Sequence, residues 1–164
     1  MYLLGHVGIG RYLVPPKIRV RLPWRWLAVG CLLPDLLDKP LVFAAHLHWW
    51  VGPVHFDILR RTRLVGHALV FVVLLAGLSA LLKSSRCWAL ALGSMTHVVL
   101  DAATDLACGV RPGWLLWPLL GWHLPAGWGV FAMPPRVYWI YGIAELLGAA
   151  LLVGEGLRAR RLKA

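Results

Sequence analysis

His97, Asp101 and Asp105 recur at four-residue intervals in the run THVVLDAATD, inside an otherwise apolar stretch from Cys87 to Val110. On a helix, residues four apart lie about 40° apart around the axis, so the imidazole and both carboxylates share one face. A neutral nitrogen and an anionic oxygen at this spacing suit a divalent metal, zinc foremost, with manganese or iron(II) as alternatives. In a membrane helix each such charge costs roughly 2.5–3.5 kcal/mol on insertion scales and demands a partner. A metal ion is one candidate partner; a buried hydrogen-bond network tying helices together is the other.

Further candidates lie outside this stripe. In Leu33-Pro34-Asp35-Leu36-Leu37-Asp38-Lys39, two aspartates stand three apart on one helical face, beside a proline that starts or kinks a helix. Asp38, followed by Lys39, reads equally well as half of an interfacial ion pair, so Asp35 is the stronger ligand candidate. His67 opens an apolar stretch after Gly66, and His6 follows Gly5. His46, His48, His55 and His123 fall near expected loops and are read as solvated or headgroup-contacting. The predicted metal ligands are therefore His6, Asp35, Asp38, His67, His97 and Asp101. Asp105 and Glu145 are predicted as general base, or as groups that orient a ligating histidine. His6, Asp35, His67, His97 and Asp101 already outnumber the ligands of a closed tetrahedral zinc site, which favours two ions bridged by an aspartate over one.

The elements that must hold these residues follow from composition. The chain has 164 residues, of which 60% are hydrophobic and 15% charged, with a formal net charge of +10. That is too apolar for an ordinary soluble domain and predicts a single all-α integral membrane domain over residues 1–164. Five apolar stretches are predicted to span: Met1 to Val14, Trp26 to Ala45, Leu64 to Leu82, Cys87 to Val110 and Val137 to Leu157. The first is short and holds Arg11, so it reads as a retained partial or tilted span rather than a removable signal peptide. If all five cross, eleven Lys and Arg fall on one face and six on the other, which puts the C-terminus in the cytoplasm. Basic residues distributed between spans mark orientation, so no nucleic-acid partner is expected. Glu155, near the basic tail, is expected to pair with Arg158.

This topology gathers the candidate ligands and Glu145 toward the outer face, within ~10–15 Å of it at 1.5 Å per helical residue. The inner halves of the spans are nearly free of such groups, which argues against a proton or metal-ion transporter needing a polar path to both faces. From Arg111 to Pro135, repeated prolines forbid a continuous span, and Trp114, Trp117, Trp122 and Trp128 predict a re-entrant or interfacial lid. Cys31, Cys87 and Cys108 lie in apolar stretches without a CxxC pair and are read as small buried residues, not a disulfide framework.

Read in order, Gly5-His6, Leu32-Leu33-Pro34-Asp35-x2-Asp38, Arg63-x2-Gly66-His67, Ser94-x-Thr96-His97-x3-Asp101-x2-Thr104 and Leu116-Trp117-Pro118 resemble the bacterial membrane-bound metal-dependent hydrolase family, which includes a LexA-regulated inner-membrane hydrolase. The resemblance covers roughly Met1 to Gly121. It implies a metal site and suggests hydrolysis at the bacterial inner membrane. The family's third motif usually begins with a histidine and carries a threonine before its last histidine; here Thr62 and Gly66 stand at those positions, and His67 alone carries over. A more distant similarity is to zinc-dependent phospholipases C, whose ligands arrive as His, Asp, His and then His-x3-Asp. Their later His-x3-Glu corresponds here to Tyr141-x3-Glu145.

The expected activity is hydrolysis of a phosphoester on a membrane lipid or lipid-linked substrate, with Arg60, Arg61 and Arg111 near the mouth of the site. The alternatives are the transporter and a non-catalytic membrane protein with a structural metal or polar cluster. The oligomeric state is left open.

Overall fold

A computed structural model describes residues 3–51, 63, 65–119 and 135–161, with backbone only at 41–51, 135–136 and 159. The described residues are all-helical, without a strand. The helices are α1 (Leu3–Leu13), α2 (Pro16–Arg19), α3 (Trp24–Val51), α4 (Leu69–Leu82), α5 (Ser85–Ala107) and α6 (Pro135–Arg161), with a 3-10 turn at Gly113–Leu116 before α6. The Pro15-Pro16 pair ends α1 and starts α2, since a proline fits the first helical position and no interior one. Lys83, in the left-handed conformation, closes α4, and the Ser84 side chain caps α5 by accepting from the Cys87 amide.

Five long helices match the five apolar stretches, but five membrane spans do not follow from them. Among the described residues, only α6, over the 22 residues Val137–Arg158, is both long and apolar enough to cross a bilayer by itself. α1, with 11 residues, and α4, with 14, reach about 16 and 21 Å, against a hydrocarbon core of about 30 Å. α3 and α5 have the length, but Arg25, Asp35, Asp38 and Lys39 interrupt the first, and Arg86, Asp101 and Asp105 the second. His67, expected to open a span, sits in the turn before α4. Of the expected lid, only the part through Leu119 lies within the described residues, and there it forms the 3-10 turn with Trp114 buried.

Glycines set the helix contacts that matter here. A Cβ on Gly8 would lie 2.3 Å from the Gly148 carbonyl oxygen, and one on Gly93 would lie 2.4 Å from the Leu27 oxygen. Only residues without a side chain allow α1 to meet α6, and α5 to meet α3, at backbone distance. Matched contacts fix the directions. Gly5 meets Ala144 and Gly8 meets Gly148, so α1 and α6 run parallel. Gly30 meets Leu90 and Cys31 meets His97, so α3 and α5 also run parallel. α1 opposes α3, with Gly10 against Cys31. Two ion pairs depart from expectation: Glu155 binds Arg11 of α1 at 2.6 Å, and Lys39 binds Asp35, one turn before it, at 2.5 Å.

Candidate metal centre

The site grows from a defect in α3. Pro34 has no N–H, so the Gly30 carbonyl four residues earlier loses its helical donor. The Ser94 hydroxyl of α5 donates to that oxygen at 3.2 Å. One residue on, the Cys31 carbonyl accepts from Nδ1 of His97 at 2.7 Å. A carbonyl can only accept, so Nδ1 carries the proton and the neutral ring presents the Nε2 lone pair.

His67 is held in a similar way. Its Nδ1 donates to Asp38 Oδ2 at 2.7 Å, while Asp38 Oδ1 accepts the Gly66 amide at 2.9 Å. Gly66 permits this approach, because a Cβ there would lie 2.7 Å from the Pro34 oxygen. Both histidines thus aim Nε2 at the same point, and those nitrogens are 3.1 Å apart. Two ligands on one tetrahedral zinc, each at ~2.0–2.1 Å, stand about 3.3 Å from each other. An Nδ1 hydrogen bond to a carboxylate or a backbone carbonyl is how proteins commonly orient a metal-binding imidazole.

Carboxylates and a third histidine complete the cluster. Asp101 Oδ2 lies 3.5 Å from Nε2 of His67 and 3.8 Å from that of His97. Asp35 Oδ1 lies 3.6 Å and 3.9 Å from the same two nitrogens. His6, from α1, stacks on the His97 ring at 3.7 Å, with Nε2 3.4 Å from Asp101 Oδ1. Among the described residues neither buried His6 nitrogen makes a well-formed hydrogen bond, which is costly for an imidazole unless something else satisfies it. His6, Asp35 and His97 form one group that could hold a metal ion, and His67, His97 and Asp101 form another. His97 belongs to both but has a single free lone pair, so it can serve only one ion at a time.

Asp38 is buried with both oxygens engaged on His67 and Gly66, so it orients a ligand rather than facing the cluster. The expectation for Lys39 is reversed, because its ammonium neutralises Asp35 and leaves Asp35 Oδ1 toward the histidines. Asp105 is not a free base either: its Oδ2 accepts from Trp114 Nε1 at 2.8 Å and from Arg63. Glu145 is committed elsewhere. Its two oxygens accept the Leu4 and Gly5 amides at 3.0 and 2.9 Å, capping α1 from a residue about 140 positions away. That carboxylate still serves the site, since it fixes the turn that carries His6.

Arg63 and Trp114 had no assigned place at the centre. Arg63 Nε donates to Asp101 Oδ2 at 2.9 Å, its Nη1 donates to Asp105, and its guanidinium lies 5.1 Å over the Trp114 ring. Burial pulls this guanidinium toward deprotonation, but Asp101 and Asp105 outweigh that and hold its pKa raised, so the charge is permanent. The edge of Trp114 also packs against His67, with ring centroids 5.8 Å apart. Arg63, directly before the apolar stretch from Leu64, counted in the sequence only toward orientation, and the lid reading hid the role of Trp114. His46, His48, His55, Arg60, Arg61 and His123 lie outside the residues whose side chains are described.

No family model, curated protein or solved structure matches the chain.

Proposed function

We propose that the protein is a metal-dependent hydrolase of the bacterial inner membrane, acting on a phosphoester of a lipid or lipid-linked substrate. The carrying observation is the pair of imidazoles with committed Nδ1 atoms, whose Nε2 atoms converge at 3.1 Å between two aspartates. His67, His97 and Asp101 are the primary ligands in this reading, with Asp35 completing the set. Asp101 turns Oδ2 toward these histidines and Oδ1 toward His6, so Asp101 and His6 would help hold a second ion if one is taken up. Zinc is the foremost candidate for the ion or ions.

A divalent ion in such a site supplies Lewis acidity and brings the pKa of a water down to about 7. The chain's own contribution is positional. Cys31 and Asp38 fix the two imidazoles, and Arg63 holds Asp101 while presenting permanent positive charge where a phosphoryl oxygen would sit. Burial of the cluster excludes bulk water and strengthens each of these interactions.

Several features support a multi-pass membrane setting with the site toward the outer face. The interior holds His6, Asp38, His67, His97, Asp101 and Asp105, while large aliphatic side chains such as Leu36, Leu74, Leu81, Val99 and Leu146 face outward. Of the charges that lower the hydropathy of α3 and α5, Asp38, Asp101 and Asp105 are buried, while Arg25 and Arg86 lie exposed at one end. The parallel α1/α6 and α3/α5 pairs, with α1 opposed to α3, match an alternating five-span path. The resemblance to membrane-bound metal-dependent hydrolases points the same way.

Purified protein should contain about one zinc per chain and cleave a short-chain phospholipid or lipid phosphate. His97→Ala should lose both properties. A wild-type protein free of stoichiometric metal after zinc supplementation would overturn the reading. A second reading has one specific support, since 3.1 Å is also a hydrogen-bond distance, and a proton between His67 and His97 would make a structural polar network. Full stability after chelation would favour it.

A further inference from the structure

We propose that the end of the bundle opposite the histidine–aspartate cluster is a docking surface for anionic phospholipid headgroups. Packing brings five helices to this end. Arg11, in the last turn of α1, lies 4.1 Å over the Trp24 ring at the start of α3 and pairs with Glu155 near the end of α6. Val14, Leu27 and Ala89 share one core cluster, which adds the start of α5, and the Lys83 turn joins the end of α4 to it.

The resulting surface is strongly basic. Lys17, Arg21, Arg25, Lys83 and Arg86 are exposed there, and the tail of α6 adds exposed Arg158, Arg160 and Arg161. Glu155, the acid placed at this end among the described residues, is occupied by Arg11. The surface is also apolar between its charges. Lys17, Arg19 and Arg21 alternate with exposed Ile18 and Val20, and the exposed indoles of Trp24 and Trp26 follow. Arg19 is folded back, its guanidinium 4.7 Å over the Tyr12 ring, and stiffens the connection rather than projecting from it.

This combination selects the partner. A nucleic-acid face uses basic residues on a polar surface, and exposed aliphatic side chains between them gain nothing from phosphate contacts. At a lipid interface the aliphatics and indoles enter the headgroup and upper acyl region, while Lys and Arg meet lipid phosphates. Each basic residue near an anionic leaflet is worth about fivefold in affinity.

The test uses the full chain in a nonionic detergent, with dioleoylphosphatidylglycerol or dioleoylphosphatidylcholine added to the micelles. Lipid retention by native mass spectrometry and thermal midpoint are the readouts. Phosphatidylglycerol should be retained in preference and raise the midpoint, with the effect weakening as salt rises. Lys17→Gln/Arg21→Gln/Arg25→Gln should weaken its binding by about a hundredfold. If the triple variant does not fold, Arg158→Gln/Arg160→Gln/Arg161→Gln and the salt titration carry the test. Equal retention of both lipids, undiminished binding by the folded variants, or tight binding of an RNA oligonucleotide without lipid preference would each overturn the proposal. None of these readouts involves the metal, so failure here leaves the hydrolase reading untouched.

Discussion

Asp38 and Asp105 are both buried aspartates beside a candidate metal centre, yet their removal should have different consequences. Asp38 accepts from Nδ1 of His67, so Asp38→Ala should free that ring and lower zinc affinity about 10- to 100-fold, without deleting a ligand. A zinc titration against a competing chelator measures this directly. Asp105 accepts from Arg63 and Trp114, so Asp105→Asn should leave zinc stoichiometry intact while removing one of the two carboxylates that hold the mostly buried Arg63 guanidinium, Asp101 remaining as the other. Losing a charge-assisted bond of this kind costs about 1.5–3 kcal/mol, visible as a lowered thermal midpoint in detergent. Lost turnover at an unchanged midpoint would instead return Asp105 to the role of general base. The helical spacing of His97, Asp101 and Asp105 was legible as one face. That Arg63 would divide the stripe, holding Asp101 on one side and Asp105 on the other, was not, because Arg63 lies 38 positions from Asp101.

At the scale of elements, the site depends on how closely helices approach. Gly8→Ala would place a methyl group into the backbone of α6, and Gly148→Ala would do the same to α1, so each should lower the unfolding midpoint clearly. Gly142→Ala on α6 meets nothing within 4 Å and should be neutral or slightly stabilising, since alanine is the better helix former by about 1 kcal/mol. Glu145→Gln should weaken the cap on α1 by about 1 kcal/mol and leave zinc bound, as read by thermal unfolding and elemental analysis. Gly93, one turn before His97, is the point where α5 meets the backbone of α3. The existence and order of the five long helices were legible as well, from apolar stretches separated by proline and basic residues. Their ends were not: α3 continues through both Pro34 and Pro40, because the freed Gly30 carbonyl finds Ser94 on another helix.

For the whole molecule, solvent is the deciding variable. Leucines on the outside and aspartates within are unfavourable in water and favourable in lipid, where buried polar groups satisfy one another. The protein should therefore sediment with membranes, resist alkaline carbonate extraction and require detergent for purification. Recovery from the soluble fraction as a stable monomer would contradict this. Chelation should lower the thermal midpoint and zinc should restore it, since an ion bound only by the folded state stabilises that state by mass action, by about 2.7 kcal/mol at a hundredfold excess over Kd.

The sequence by itself determined the helical class, the apolar exterior and the polar stripe of α5, because these depend on composition and on a period of 3.6 residues. It also marked His6, Asp35, His67, His97 and Asp101, residues that the fold gathers around one point. Tertiary structure alone decided their division of labour. Asp38 turned to His67, Glu145 to the amides of α1, and Glu155 to Arg11. A buried carboxylate takes whichever donor the packing brings within about 3 Å, and that donor is seldom its neighbour in the chain.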